Sequence, residues 1–381
     1  MTLRKHVNPL FVLAAAAALS ACGPKIPDTL TIAVAQPLSG PQMGRGKDLL
    51  DGAKLAVEEL NKNGFKIAGK PVTLELVSVD DKADKAIAQK VAQDLVDQKV
   101  FAVIGHLSSD ITEATIPIYK QGDVVQLFTS SAAELTKLGE GNAFRLVAND
   151  AMQAKAVASY ATDTLRAKSV AMIHENSAYG TPMKNDIAAE LAKTKKSLAV
   201  QESVDLKTTD FAGFIGKLKA SPPDVMVAAL RDHQLLPLLA QMKAAGLSEM
   251  PVIATSTGKT SKVAKAPADV SKLYSTISSA EPREFTAGPE FLSKFRAAYK
   301  SDPVWAAHYA YDAVHVLAHT LRANGNADKE ALRAKLRTID AIAPVTGTMR
   351  FNASGEQQYG AITVYERRDG SWSPLVRSDQ W

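Results

Sequence analysis

Short β-rich runs alternate with helix-patterned segments over residues 30–277, and this alternation constrains the fold more than any other feature. Leu30–Ala35 reads as a strand, and over 46–63 Leu49, Leu50, Ala53, Ala56, Val57 and Leu60 recur at helical spacing. Val72–Val79 is the next strand; Ile87, Val91 and Leu95 stripe the helix after it, and Val100–Ile104 is a strand again. Val124–Phe128 and Phe144–Val147 complete a first series. After a helix over 151–166, a second series runs through Ser169–Ile173, Leu198–Val204, Val225–Leu230, Val252–Ala254 and Leu273–Ile277. Two series of this kind predict an α/β protein of two doubly wound units. Such sheets bind ligands beyond the carboxyl ends of their strands. The loops of interest are therefore 36–46, 105–110, 128–133, 174–181, 230–233 and 254–260.

The tail breaks the pattern. Residues 287–338 read as helix-rich, with a long segment from Val304 to about Ala323. Thr348–Phe351 and Ile362–Tyr365 read as antiparallel strands around Asn352–Gly355. With 381 residues the chain has room for two or three domains. Lys and Arg exceed Asp and Glu by 45 to 40, but no basic block of five or more exists, so nucleic acid is not an expected partner. A single cysteine excludes an intramolecular disulfide and any multi-cysteine metal site.

That cysteine lies at the end of an export signal. Arg4 and Lys5 precede an apolar run, Phe11–Leu19, which is too short to span a bilayer. Leu19-Ser20-Ala21-Cys22 resembles the bacterial lipoprotein box, which implies cleavage before Cys22 and lipidation of its thiol. An ordinary secretory signal with an incidental cysteine is the alternative. Residues 1–21 are then the signal peptide, and 22–29 a tether between lipid and folded domain.

Several loop segments, in order along the chain, resemble the branched-chain amino-acid-binding family of periplasmic ABC-transporter receptors. They include Leu38-Ser39-Gly40-Pro41, Val79-Asp80-Asp81, Gly105-His106-Leu107-Ser108-Ser109, Thr129–Thr136, Phe144-Arg145, Ala178-Tyr179-Gly180, Asp210-Phe211, Ala244–Leu247 and Tyr309–Ala313. The resemblance implies the type I periplasmic binding protein fold: two doubly wound Rossmann-like lobes joined by a three-segment hinge. It puts 28–148 and 282–356 in lobe 1, and 149–281 and 357–381 in lobe 2. Together with the lipoprotein box, it implies a lipid-anchored, non-enzymatic receptor in the periplasm or cell envelope. Such a receptor binds an amino acid or small organic acid between its lobes, without a cofactor, and delivers it to an ABC permease in the inner membrane.

In the family the loops carrying Ser108 and Ser109, and Thr129, Ser130 and Ser131, grip the ligand's carboxylate. Hydroxyls and helix-terminal N–H groups suit that task, although the same residues also serve as helix caps. Tyr179 matches an aromatic of lobe 2 that covers the ligand. Arg45 and Arg231 depart from the pattern, standing where these receptors usually place tyrosines. Thr255-Ser256-Thr257-Gly258, with Ser256 as the candidate contact, replaces the carboxylate that holds the α-ammonium. Two guanidinium groups and no acid suit an anion better than a zwitterion; a register shift of one would return an acid, Asp232. Arg145 is expected to anchor backbone rather than ligand. The family's disulfide is missing, with Ala83 and Ser108 at its two places.

Other signals are weaker. Gly258-Lys259-Thr260 lacks the upstream glycine of a phosphate loop, Ile253 standing there instead, and Ser256–Lys259 lacks the companion motifs of penicillin-recognising enzymes. His308, His315 and His319 share a helix face, a spacing compatible with a metal but more simply a half-buried face. An adaptor lipoprotein of the same fold, regulating a cell-envelope enzyme through protein contacts, is the alternative function.

Overall fold

A computed structural model describes residues 26–378. The expected signal peptide, Cys22 and the rest of the tether up to residue 25 lie outside the described residues.

The first unit opens with β1 (Thr29–Gln36) and α1 (Met43–Lys62), followed by a small hairpin of β2 (Lys66–Ile67) and β3 (Lys70–Pro71). Then come β4 (Thr73–Asp80), α2 (Lys85–Asp97), β5 (Ala102–Ile104), α3 (Ser109–Gln121), β6 (Val125–Phe128), α4 (Leu135–Leu138) and β7 (Ala143–Arg145). The five long strands form a parallel sheet in the order β4-β1-β5-β6-β7. Its central strands β5 and β6 are wholly buried, which is why they read as unbroken apolar runs.

The second unit begins with α5 (Asp150–Ser159), which ends in a π-helical turn at Tyr160–Thr164. It continues through β8 (Val170–Glu175), α6 (Gly180–Lys193), β9 (Leu198–Val204), α7 (Ala212–Ala220), β10 (Val225–Ala229), α8 (Asp232–Ala244), β11 (Val252–Ala254), α9 (Ser261–Lys265) and β12 (Leu273–Ile277). The parallel order β9-β8-β10-β11-β12 repeats that of the first sheet.

The tail serves both units. Helices α10 (Gly288–Tyr299), α11 (Ala307–Asn324) and α12 (Lys329–Leu336) send Phe291, Leu317 and Leu332 into the core that also contains Ile32, Leu49 and Leu127. Gly52 sits where α1 meets α11; a Cβ there would stand 1.9 Å from the Ala307 carbonyl oxygen, so the close crossing depends on glycine. The strands after α12 correct the expected hairpin. β14 (Gly347–Met349) pairs with β13 (Ala341–Ala343), while β15 (Thr363–Arg368) runs antiparallel to both β12 and β16 (Ser371–Arg377). Around Asn352–Gly355 only a single bridge forms, Phe351 to Gln357. An added edge strand completed the second sheet better than a free two-stranded ribbon, which is marginal in water.

Three chain crossings lie side by side. The Ala148 amide donates to the Ser278 carbonyl at 3.1 Å, and Ala148 packs with Ile362. Among the described residues no helix is long and apolar enough to cross a membrane.

Candidate ligand-binding cleft

In both sheets the loops diverge at the same topological switch, between β1 and β5 in one unit and between β8 and β10 in the other. Every cleft position singled out from the sequence lies in or just beyond a loop at the carboxyl end of a strand. The two units meet there: the Ala178 amide donates to the Asp110 carboxylate across the cleft at 3.1 Å. A cavity of about 290 Å³ opens between them, with Gln42, Ser108 and Asp110 on one wall and Asn176, Ser177 and Arg231 on the other. A larger cavity, about 440 Å³, lies among Ser248, Asp269, Ser271 and Arg367. Ser248 and Ser271 lead into β11 and β12, so that cavity is at the opposite sheet edge from the one where such folds bind.

Lobe 1 supplies a polar cradle. Ser108 is the N-cap residue of α3 but makes no capping bond; its hydroxyl instead accepts from Gln42 at 3.4 Å. The Ser109 hydroxyl accepts from the Ala132 amide at 3.3 Å, joining the two cradle loops. Thr129 is buried, and its hydroxyl has no hydrogen-bond partner. The main-chain N–H groups of Thr129, Ser130 and Ser131 likewise find no acceptor among the described residues. Buried polar groups are normally satisfied, so this cluster of idle donors stands apart from the rest of the lobe. Ser130 differs from its neighbours: its hydroxyl donates to Thr112 at 2.7 Å and its carbonyl accepts from Arg145, both within lobe 1.

Arg145 anchors this loop, as expected. It is fully buried, forms a bidentate pair with Glu356 at 3.0 Å on each arm, and donates to the Ala132 carbonyl at 2.7 Å. A second internal tie lies deeper in the same unit. His106 Nδ1 lies 2.6 Å from Asp81 and Nε2 lies 3.1 Å from the Tyr119 hydroxyl, all three buried. The bond spans the same two loops that carry Ala83 and Ser108.

In lobe 2 the Tyr179 hydroxyl donates to Gln153 at 3.0 Å, and Gln153 in turn donates to Ser256. Burial pushes the Tyr179 phenol well above its ordinary pKa, keeping it a neutral donor. Arg231 is not the free cation that the sequence suggested. It pairs with Glu175, fully buried at the end of β8, at 3.0 Å and 3.4 Å. The reading of a cleft without an acid is corrected accordingly: Glu175 is that acid, and it is already neutralised. Its position at a strand's carboxyl end was the signal that could have found it. Lys259 is also matched, by Glu281 at 2.5 Å, and lies 4.0 Å over the Tyr365 ring.

Arg45 is the exception. Its guanidinium lies 5.6 Å over the Trp305 ring, and no hydrogen-bond or ion-pair partner is found for it among the described residues. Burial lowers its pKa, opposed by Asp232, while Arg231 nearby lowers it further. Trp305 comes from the returning tail and could not have been paired with Arg45 from local sequence. Asp232, the first residue of α8, is near but forms no ion pair with it.

Asp150, at the start of α5, is a further buried acid that sequence reasoning missed. Its amide donates to the Ser131 carbonyl at 2.8 Å, but neither carboxylate oxygen has a hydrogen-bond partner. Burial raises its pKa to about 7; the nearby Ser131 hydroxyl and Arg145 oppose the shift, and Asp186 and Glu356 add to it. An acid with a raised folded pKa keeps a proton that the unfolded chain releases, so stability falls as pH climbs from about 4 to about 7 and then levels. Asp150→Asn should therefore gain about 2–3 kcal/mol on wild type between pH 5 and pH 8, measured by urea unfolding. An equal difference at both pH values would show that this carboxyl titrates normally.

The histidine face does not converge. His308 Nε2 meets the Ala280 carbonyl at 2.9 Å, with burial lowering its pKa to about 3. His315 lies against Glu59, and Asp312 accepts from the Val345 and Thr346 amides instead. Among the described residues no group of three or more His, Cys, Asp or Glu could hold a metal.

Comparisons with known proteins agree with this architecture. The sequence pattern of the periplasmic binding protein family matches residues 29–371. The chain is 28% identical over 344 residues to the leucine-, isoleucine-, valine-, threonine- and alanine-binding protein of Pseudomonas aeruginosa, covering 89% of this chain and 90% of that protein. The fold superposes on the leucine-binding protein LivK of Thermotoga maritima with a TM-score of 0.82 at 20% identity, covering 91% of this chain and 98% of the other. It also superposes on an ABC-transporter solute-binding protein of R. palustris in complex with benzoate, with a TM-score of 0.78 at 19% identity, covering 92% and 96%. The chain belongs to the periplasmic binding protein family, a family of solute-binding proteins rather than enzymes, and has the type I fold of its branched-chain amino-acid-binding receptors.

Proposed function

We propose that the protein is the lipid-anchored receptor of an ABC importer, which closes on an amino acid or small organic acid and delivers it to an inner-membrane permease. The observation that carries this reading is the set of idle donors at Thr129–Ser131, opposite Tyr179 and the Arg231–Glu175 pair. Ser109, Thr129 and Ser131 hold the ligand's carboxylate, aided by the positive end of α3. Ser108 lines the mouth, and Ser130 contributes through its backbone amide. Tyr179, Arg231 and Ser256 close from lobe 2. The lobes comprise 28–148 with 282–356 and 149–281 with 357–381, and the cleft opens about their three crossings. Relatives that bind amino acids and a neighbour that holds benzoate both support a carboxylate-bearing ligand.

Isothermal titration against amino acids and organic acids tests the receptor reading. Micromolar or tighter binding is expected for at least one carboxylate, lost in Thr129→Val/Ser131→Ala; no binding by a folded protein across the panel would overturn it. The anchor is tested separately. Cys22→Ser should leave an unlipidated precursor that no longer fractionates with membranes, since stable attachment takes more than one acyl chain. Unchanged mass and fractionation would show that Cys22 carries no lipid.

A further inference from the structure

One cation of the cleft forms no ion pair among the described residues, although Asp232 attracts it from a distance. Arg231 is matched by Glu175 and Lys259 by Glu281, whereas the Arg45 guanidinium has only the Trp305 ring beneath it. A partly buried charge in this setting costs stability unless something pairs with it, and a guanidinium pairs best with a carboxylate. That carboxylate is distinct from the one the cradle takes. The cradle follows β5 and β6, while Arg45 stands just beyond β1, on the other side of β5 in the same sheet. Arg45 belongs to α1 and forms no hydrogen bond with the cradle residues among the described residues, so the two anion positions are separate. One small solute with acids at both ends can engage both.

We propose that the solute carries two acidic groups, one held by the Thr129–Ser131 cradle and the other by Arg45. The protein is then a receptor for dicarboxylates or acidic amino acids rather than for leucine or valine. This inference rests on the receptor reading above. It assigns Arg45 as the residue that sets specificity, with Trp305 holding its plane.

The test is calorimetry at low salt with succinate, glutarate, adipate and L-glutamate, with butyrate and valerate as monoacids, and with leucine. The best diacid should bind about 10- to 150-fold tighter than the monoacid of equal length, the equivalent of about 1.5–3 kcal/mol for one charged contact. Arg45→Met should erase that advantage and leave monoacid affinity within about threefold of wild type. Arg45→Lys should keep part of it, because the charge remains and the bidentate geometry is lost. Glutamate compared with glutarate shows which of the two acid classes is preferred. A wild type with no diacid advantage, or an Arg45→Met variant that loses both classes equally, overturns the inference. If leucine or a monoacid binds tightly and the diacids do not, the receptor reading stands and this inference falls. If nothing in the panel binds the folded protein, both fall.

Discussion

Arg145→Met should destabilise the protein by about 3–5 kcal/mol, because it breaks a buried ion pair by removing one partner only. The side chain has no exposure, and its donors are divided between the two oxygens of Glu356 and the carbonyls of Ser130 and Ala132. Methionine fills most of the volume and satisfies none of these groups. Glu356 keeps the Thr136 hydroxyl at 2.6 Å but loses its counter-charge. Urea unfolding measures the loss. A companion Glu356→Gln should recover part of it in the double variant, since the stranded charge is then gone. The same substitution frees the loop 130–133 that frames the cradle, so carboxylate affinity should fall with stability. A variant as stable as wild type would mean that Arg145 is replaceable packing.

Asp48→Ala has the second-largest expected effect, about 2–4 kcal/mol. This one carboxylate accepts from the Val304 amide at 2.8 Å, the Trp305 amide at 3.1 Å and the Ala307 amide at 2.8 Å. Burial raises its pKa to about 6 despite those three bonds, which shows how little water reaches it. Alanine would strand three donors at the start of α11, and each unsatisfied buried group costs about 1–3 kcal/mol before the loop relaxes. Asp48→Asn, with one acceptor oxygen, should lose less than alanine. The loop also presents Trp305 to Arg45, so the Asp48→Ala variant should lose diacid preference as well as stability. Equal urea midpoints for wild type and Asp48→Ala would refute this account of the loop.

Both effects turn on pairings that no local reading could supply. Arg145 was legible as a backbone anchor, yet its partner Glu356 lies 211 residues away, and Asp48 reaches residues more than 250 positions on. The parallel strands were legible because buried strands are continuous apolar runs, and the helices because their apolar residues recur at helical spacing. Thr348–Phe351 and Ile362–Tyr365 were misread as mutual partners. Alternation identifies a strand but says nothing of which edge it joins, and the open edge at β12 took the second of them.

The cleft divides in the same way. Hydroxyls and short loops at the carboxyl ends of the strands were readable from residue order, because strand direction and loop position are properties of order along the chain. Residue order also identified the family, through ordered loop segments that the match over residues 29–371 bears out. Which charges in the cleft are already neutralised emerges from the folded arrangement alone. Arg45 and Arg231 look equivalent in sequence, but Glu175 reaches one and, among the described residues, no carboxylate pairs with the other. Charge pairing acts through space at about 3–4 Å, and the residues that achieve it come from loops whose separation along the chain bears no relation to that distance.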